Sequence, residues 1–395
     1  MPKPAPDRNL PGMTTQTIPT EKQRVLIAGG GVAALETVLA LHDLAPELTD
    51  VSVLAPNTDF HYRPLTVREP FAGGPARRYP LAPIVSDAGA RLVTGELAWV
   101  NPAMRIAHTT GEAELAYDRL VLALGAKAVP RYRHAVTIDA ARMDEILHGV
   151  VQDVEGGYIK SLAFVAPGRM AWPLPLYELA LMTAGRAYDM NMDVTITLVT
   201  PEAAPLAIFG QNVSSAVAEL LGRAGIQTIH SAYAEVPHAG ELAINPGDRR
   251  LRVNRVIALP ELCGPSVRGI PLSQHGFLRV DSYGRVLDAK DVYAAGDCTE
   301  FPVKHGGVSS EQADTVALSI AAEAGAPITP ERFRPVIRGM LLTGDKPLYL
   351  TAKITGGHGF SSEIGETPTW EPPSKIAAKY LAPYLDARDR ERAPA

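Results

Sequence analysis

The sequence predicts an α/β protein with two tandem three-layer domains and a small C-terminal segment. Near the start, a strand, a glycine-rich turn, a helix and a second strand follow one another over 25–28, 29–31, 32–45 and 51–54. The same order of strand, helix and strand returns over 162–165, 174–188 and 194–199. These strands are short apolar runs, which are typical of parallel sheets buried on both faces. An order of elements that occurs twice predicts two doubly wound halves.

The remaining segments extend this pattern. Short strands that alternate with turn residues predict meanders over 91–115 and 231–255. We expect further strands over 120–124, 227–230, 256–259 and 292–295, and further helices over 211–224 and from about 309 to 324. Residues 57–87 are rich in proline, so we expect irregular structure there.

Composition and charge exclude several classes of protein. The 395 residues include 38 Lys and Arg against 43 Asp and Glu, a net charge of −5, so no nucleic-acid binding is expected. No apolar run approaches the ~18 residues that a membrane span requires. Cys263 and Cys298 are the two cysteines, and they provide neither a disulfide framework nor metal-ligand spacing. The proline-rich start lacks the apolar region of a signal peptide. We therefore expect a cytoplasmic protein without a metal site.

The glycine-rich turn carries the strongest local signal, Gly29-Gly30-Gly31-Val32-Ala33-Ala34. Gly29 permits a tight turn, Gly31 allows the backbone to approach a pyrophosphate, and Ala34 allows close packing of helix and strand. The free N–H groups of the helix that follows favour an anion. The turn therefore predicts dinucleotide binding in a Rossmann-like domain.

Two later segments, Tyr117–Ala126 and Val292–Asp297, complete a wider pattern. Together with the glycine turn they resemble the FAD-binding segments of the flavoproteins with two dinucleotide-binding domains, the pyridine nucleotide-disulfide oxidoreductase superfamily. The resemblance covers about residues 24–325 and implies bound FAD, with Asp297 on the ribityl chain. The cofactor-binding residues that it implies are Gly29, Gly31, Val32, Ala33, Ala34, Ala55, Arg63, Leu97, Leu124, Gly125, Gly296, Asp297 and Gly307. Ala55 departs from the pattern because an acidic residue for the ribose belongs there, and Asp59 lies four residues later; Leu124 stands where many relatives have Thr.

The resemblance also predicts how the chain is divided. We expect a disordered tail over 1–22 and an FAD-binding domain in two parts, 23–130 and 263–326. A second dinucleotide-binding domain, with a degenerate turn, is expected over 131–262, and a C-terminal segment over 327–395.

Several segments are similar to one branch of the superfamily, the type II NADH dehydrogenases and sulfide:quinone oxidoreductases. The turn of the second half, 166–178, resembles the segment of sulfide:quinone oxidoreductases that carries a sulfur-attacking cysteine, and Trp172 occupies that cysteine's position. No cysteine follows Cys298, so the family's thiolate route to sulfide oxidation is not expected. Pro167 and Arg169 replace the glycines that NADH binding needs, which argues against the usual mode for NAD(P)H.

Three residues are candidates for direct roles beside the flavin. Lys304 offsets the charge of reduced flavin, binds an acidic substrate or is a solvated loop residue. His305 either relays a proton or belongs to a loop whose glycines allow the turn. Trp172 either shapes a substrate pocket or packs as an ordinary aromatic residue. Arg77 and Arg78 are expected to be a surface pair, and Cys298 a small buried residue.

The C-terminal stretch 375–385 places apolar residues on adjacent helical turns. We favour docking of this stretch on its own domain, or on a second copy in a homodimer, over peripheral contact with a membrane.

The resemblance implies an FAD-dependent oxidoreductase that passes electrons from a small-molecule donor to a quinone or another small acceptor, with NAD(P)H retained as an alternative donor. The alternative function is a flavin-binding regulatory or redox-sensing protein without turnover. A third alternative is a structural relic that has lost FAD through the change at Ala55.

Overall fold

The computed structural model describes residues 21–354 and 360–392. Its α-helices are α1 (Val32–Leu44), α2 (Leu81–Asp87), α3 (Met143–Glu155), α4 (Leu174–Asp189), α5 (Gln211–Arg223), α6 (Gly306–Glu323) and α7 (Leu381–Arg392), with 3₁₀ helices at Arg63–Phe71 and Ala207–Phe209. Its strands are β1 (Gln23–Ala28), β2 (Thr49–Ala55), β3 (Asp59–His61), β4 (Arg78–Pro80), β5 (Arg91–Thr94), β6 (Leu97–Asn101), β7 (Ile106–Thr109), β8 (Glu114–Ala116), β9 (Arg119–Leu122), β10 (Lys127–Val129), β11 (Val136–Thr137), β12 (Ser161–Val165), β13 (Thr195–Val199), β14 (Gln227–Ile229), β15 (Tyr233–His238), β16 (Glu241–Asn245), β17 (Arg249–Arg252), β18 (Arg255–Ala258), β19 (Glu261–Cys263), β20 (Val292–Ala294), β21 (Val336–Leu341), β22 (Leu348–Ile354) and β23 (Phe360–Gly365).

The first domain is built on a parallel sheet with the strand order β20-β9-β1-β2-β5. Val25 and Ile27 of β1 point to the core formed with α1 and α6, whereas Leu26 and Ala28 point to the core beneath the meander β6-β7-β8. This alternation follows from the pleat of a strand, whose successive side chains face opposite ways. The layers are therefore helices, parallel sheet and meander.

The second domain repeats this arrangement. Its parallel sheet has the order β11-β18-β12-β13-β14. Leu162 and Phe164 of β12 face the helices α3, α4 and α5, while Ala163 and Val165 face the meander β15-β16-β17. The predicted duplication of two Rossmann-like halves is confirmed by this shared layering. Strand β20 follows the second half in sequence but completes the first sheet, so the first domain is made of two parts of the chain.

The C-terminal segment contacts both domains. Its antiparallel sheet β21-β22-β23 packs Leu341 and Leu350 into the core of the second domain. Helix α7 places Leu381, Ala382 and Leu385 in a cluster with residues of α1 and α2 in the first domain. These three residues of α7 are thus covered by the chain's own domain, and a homodimer through this helix stays a prediction. Within residues 21–354 and 360–392, every helix is too short or too polar to span a lipid bilayer.

Three sequence predictions need correction. Residues 57–87 are not irregular, because they contain β3, β4, α2 and the 3₁₀ helix Arg63–Phe71. Helix α6 begins at Gly306 rather than near Ser309. The stretch 375–385 becomes helical only at Leu381, because backbone N–H groups before that point are bonded to side chains of other elements. Residues 1–20 of the predicted tail lie outside the described residues.

Candidate cofactor site

The glycine turn lies at the carboxyl end of β1, where parallel sheets hold their ligands. Gly29 has φ +133°, and a Cβ there would stand 2.2 Å from the carbonyl oxygen of Ala123 at the end of β9. Only glycine fits this position. The N–H of Gly29 donates to the carbonyl of Leu54 at 2.8 Å, which joins the turn to the end of β2.

Gly31 differs from Gly29 because it faces open space. It is exposed and is the N-cap residue of α1, and nothing lies within 4 Å of the place where a Cβ would project. No side chain caps α1, and its first turn contains no acidic residue. The free N–H groups at this helix end are therefore available to an anion such as a pyrophosphate.

Small residues in the first turn of α1 allow a close approach by the third predicted segment. A Cβ at Gly296, where φ is +85°, would stand 3.0 Å from Cβ of Ala33. The N–H of Gly296 donates to Oε1 of Gln312 on α6 at 2.7 Å. The structure thus brings the segments around Gly29, Gly125 and Gly296 together at the carboxyl ends of three neighbouring strands, β1, β9 and β20.

Asp297 follows Gly296 and is half-buried. One of its oxygens accepts a hydrogen bond from Oγ of Ser309 at 3.3 Å. Burial raises the pKa of Asp297, and the positive charges of Lys304 and Arg63 act against that rise. Arg63 is exposed at the start of its 3₁₀ helix, and among the described residues no carboxylate pairs with it. An acidic group here, next to free cationic charge, is suited to holding hydroxyl and phosphate groups of a cofactor.

Ala55, the expected ribose position, is closed by apolar packing. It is 1% exposed at the end of β2, beside Leu81 of α2. Leu97, another residue implied by the resemblance, is half-buried against the core beneath the meander. Asp59 is exposed on β3, and its carboxylate accepts from Oγ1 of Thr58 at 2.7 Å. The place of the missing acid is therefore apolar, and the ribose contact stays unassigned.

Helix α6 begins directly at the loop of Lys304 and His305. The ring of His305 caps the helix, since its Nδ1 accepts from the N–H of Gly307 at 3.1 Å. Its buried Nε2 has no hydrogen-bond partner among the described residues. Burial lowers the pKa of His305 to about 3. The His305 ring is thus a helix cap whose lowered pKa favours the neutral form, and its part as a proton relay stays a prediction.

Lys304 lies inside the protein rather than in a solvated loop. It is 7% exposed, its Nζ donates to the carbonyl of Thr299, and the ammonium lies 4.2 Å from the centre of the Phe277 ring. Burial lowers the pKa of Lys304 to about 8, and the negative charge of Asp297 acts in the opposite direction. A buried ammonium beside Asp297 supplies positive charge to the same region.

Trp172 lies next to this helix end. The N–H of Lys304 donates to the carbonyl of Ala171 at 3.3 Å, which fastens the turn of the second domain to the first. The Trp172 ring is 4.1 Å from the His305 ring and 5.7 Å from that of Phe209. The three predicted residues Lys304, His305 and Trp172 are thus neighbours.

The turn of the second domain departs from the open, glycine-rich form that binds a dinucleotide. The guanidinium of Arg169 is bonded to Glu261 at 2.6 Å, and the Tyr233 ring lies 3.4 Å from where a Gly168 side chain would begin. Pro173 caps α4 and Pro175 follows in its first turn, so two of the N–H groups that bind phosphates in such turns are missing.

The acidic residue that follows the second strand of this domain, Glu202, already has hydrogen-bond donors within the chain. In a dinucleotide-binding half, an acid near this place binds the ribose hydroxyls. Glu202 instead accepts from the hydroxyl of Tyr177 at 2.7 Å, from the hydroxyl of Thr200 at 3.1 Å and from the N–H of Ala207 at 3.1 Å. Its carboxylate therefore stabilises the local chain.

A buried ion pair that the sequence analysis missed joins the second domain to the C-terminal segment. Nζ of Lys375 donates to both oxygens of Glu178 at 2.6 and 2.7 Å, and the two side chains are 5% and 0% exposed. The N–H of Leu342 also donates to Glu178 at 2.9 Å. Burial raises the pKa of Glu178 and lowers that of Lys375, and their mutual contact opposes both shifts. The available signal was a glutamate inside the otherwise apolar helix 174–183.

Cys298 does not have the environment of a redox thiol. Cys298 is fully buried, its Sγ lies 3.1 Å from the carbonyl oxygen of Leu122, and burial raises its pKa to about 11. Cys263 is a free thiol on β19, opposite Lys127 of β10.

Arg77, expected on the surface, forms an ion pair with Asp389 and so helps to hold α7.

Comparisons with known proteins agree with this geometry. No protein-family model matches the chain. An NADH dehydrogenase-like protein of Mycobacterium tuberculosis (strain CDC 1551 / Oshkosh) is 26% identical over 295 residues, 69% of this chain and 72% of that protein. The sulfide:quinone oxidoreductase of Aquifex aeolicus has a similar structure, with a TM-score of 0.78 at 17% identity over 93% of this chain and 90% of that one. A ferredoxin reductase of Rhodopseudomonas palustris has a TM-score of 0.65 at 17% identity, over 87% and 88% of the two chains. The chain therefore has a two-domain, Rossmann-like fold similar to that of these oxidoreductases.

Proposed function

We propose that this protein is an FAD-dependent oxidoreductase that passes electrons through bound flavin from a small-molecule donor to a quinone or another small acceptor. One observation carries the proposal: the open, uncapped amino end of α1 at Gly31, beside the half-buried Asp297. This combination offers N–H donors for a pyrophosphate and, next to the close approach of Gly296 to Ala33 of α1, an acceptor for hydroxyl groups.

The chain's own groups have separate roles in this proposal. The turn at Gly31 binds the pyrophosphate, and Asp297, oriented by Ser309, binds the ribityl hydroxyls. The amino end of α6 and the buried ammonium of Lys304 favour negative charge in their surroundings. FAD, when bound, supplies the capacity to accept and release electrons.

The donor that we propose is not a nicotinamide nucleotide bound in the usual way. Such a nucleotide would need the turn that Arg169 and two prolines occupy, and the acid that Tyr177 and Thr200 already engage. NAD(P)H remains the alternative donor, and the likeness to NADH dehydrogenase-like proteins is the reason to test it.

Sulfide oxidation through protein thiolates is not part of the proposal. Trp172 stands where the resemblance places the attacking cysteine. Cys298 is buried, and its raised pKa keeps the thiol protonated. An aromatic wall at Trp172 instead favours a flat or apolar substrate near the flavin.

The first experiment identifies the cofactor and tests the donor. Protein purified and reconstituted with FAD should release FAD on heating. Under anaerobic conditions, neither NADH nor NADPH should bleach the visible flavin band, whereas dithionite, the control reductant, should bleach it fully. Failure to bind FAD after reconstitution contradicts the cofactor proposal, and rapid bleaching by either nucleotide contradicts the closed second turn.

A second candidate, a flavin-binding regulatory protein without turnover, is favoured by one observation. The closed turn at Arg169 leaves the second domain without the usual entrance for a reductant. This candidate predicts bound FAD but no sustained reduction of any quinone with any donor in a broad panel. Sustained quinone-dependent turnover would contradict it.

A further inference from the structure

The ammonium of Lys304 is buried without a carboxylate partner. The residue is 7% exposed, and no carboxylate of the described residues forms an ion pair with its Nζ. Removing an ammonium from water costs free energy unless other groups compensate for the lost solvation. The groups that take the place of water around Lys304 therefore decide what its charge can do.

Two neutral groups stabilise this ammonium. Nζ donates to the carbonyl of Thr299, and the centre of the Phe277 ring lies 4.2 Å from Nζ. A cation within about 6 Å of a ring centre is attracted by the negative face of the ring, and the attraction is strongest where water is excluded. Phe277 is 9% exposed, so its contact with Lys304 lies in such a place.

A tight turn fixes the position of Phe277. The carbonyl of Phe277 accepts from the N–H of Ser273 at 2.8 Å, and the N–H of Phe277 donates to Oγ of Ser273 at 3.2 Å. The N–H of the next residue, Leu278, donates to the carbonyl of Cys298 at 2.9 Å. The ring is therefore fastened to the segment that directly follows Asp297.

Nearby acidic groups do not cancel the charge of Lys304. Asp297 and Glu300 both favour its protonated form, and neither forms an ion pair with Nζ in the part of the chain that the structure describes. Glu300 is exposed, so water and salt screen its charge. Burial raises the pKa of the Cys298 thiol to about 11, which keeps this neighbour neutral. A ring face and a carbonyl group carry no net charge, so the ammonium keeps its own.

We propose that Phe277 is a positioning residue whose ring holds the ammonium of Lys304 in place of a carboxylate, so that the positive charge stays available to a bound anion. Phe277 acts through Lys304 and needs no contact with the cofactor. The consequence for reduced flavin, the negatively charged form of the cofactor, rests on the proposed function. Loss of the ring should let Lys304 lose its position or its proton, and either change weakens the preference of the site for reduced flavin.

A double-mutant cycle in the apoprotein tests the contact itself. Phe277→Leu removes the ring but keeps an apolar side chain, and Lys304→Met removes the charge. Phe277→Leu should raise the unfolding equilibrium constant by a factor that is about 2- to 30-fold larger with Lys304 present than in the Lys304→Met background. Urea titrations of the four proteins measure these constants. Equal factors in the two backgrounds would overturn the proposal, because packing alone would then explain the position of the ring.

The midpoint potential of bound flavin tests the consequence in the reconstituted holoprotein. Lys304→Met should lower this potential, Phe277→Leu should lower it by no more than Lys304→Met does, and the double variant should match Lys304→Met. Phe164→Leu is the matched control, since this ring is 0% exposed in the core of the second domain and its loss should leave the potential unchanged. An unchanged potential in Phe277→Leu, or a further fall in the double variant, would overturn the positioning role.

A second variant keeps the proposal testable if Phe277→Leu does not fold. Trifluorophenylalanine at position 277 keeps nearly the same ring size and weakens the negative face, so the same cycle applies. The unfolding cycle needs no flavin, so absence of FAD binding would contradict the proposed function and leave the contact standing. FAD that binds with an unchanged potential in Phe277→Leu would remove the role of Phe277 and leave the proposed function intact.

Discussion

The substitution Gly31→Ala separates binding of the cofactor from stability of the fold. Gly31 has φ −95°, which any residue adopts, and nothing lies within 4 Å of the added methyl group. Alanine is a poorer N-cap than glycine, so the apoprotein should lose no more than about 1 kcal/mol. The methyl group projects into the space where we place the pyrophosphate, and it should prevent at least one charged N–H contact.

The size of the effect follows from that lost contact. A hydrogen bond to a charged group contributes about 1.5–3 kcal/mol, and every 1.4 kcal/mol is tenfold in affinity, so FAD binding should weaken about 10- to 100-fold. Titration of the apoprotein with FAD, followed by quenching of flavin fluorescence, measures the affinity. Thermal unfolding of the apoprotein measures the stability separately.

Two other glycines serve as controls for this experiment. At Gly222 in α5, a Cβ also meets nothing within 4 Å, and Gly222→Ala should leave FAD affinity unchanged. At Gly29, a Cβ would stand 2.2 Å from the Ala123 carbonyl oxygen, so Gly29→Ala should disrupt the fold itself. Unchanged FAD affinity in Gly31→Ala would refute the placement of the pyrophosphate.

Two further predictions concern buried polar groups. In urea titrations, Glu178→Gln or Lys375→Met alone should lower the free energy of unfolding by about 3–5 kcal/mol, because each leaves a buried partner unpaired. The Glu178→Met/Lys375→Met double variant leaves no charge unpaired, so its free energy of unfolding should fall much less. The exposed ion pair of Lys22 and Glu47 is the control, and Glu47→Gln should lower the free energy of unfolding by less than about 1 kcal/mol. Equal losses of stability at the buried pair and at the exposed pair would contradict this reasoning. His305→Asn should preserve the cap of α6 and the thermal stability of the protein. His305→Ala removes the cap, so the free energy of unfolding should fall by about 1 kcal/mol. In NMR titrations, the His305 ring should show no protonation step between pH ~5 and ~8; a step near pH 6.5 would contradict its lowered pKa.

Much of this architecture could be predicted from local sequence, because the relevant forces act between near neighbours. Apolar runs of strand length, the glycines of the first turn and the repeated order of elements identified both parallel sheets. The need for glycine at Gly29 was also readable, since a strand that turns sharply into a helix leaves no room for a side chain. Predictions failed where distant groups decide the local structure. His305 caps α6 and moves its start to Gly306, and Glu36 and Tyr62 take up the N–H groups that a helix from residue 375 would need.

By itself, the sequence determined the two halves, the dinucleotide turn and the absence of paired redox cysteines, because each depends on residues close together in the chain. Only the tertiary structure decided which charges are buried together. Glu178 meets Lys375 across 197 positions, and Glu36 meets Tyr380 across 344. Such contacts arise from the packing of whole domains, and burial then shifts the affinity of these groups for protons, which no local pattern of residues reveals.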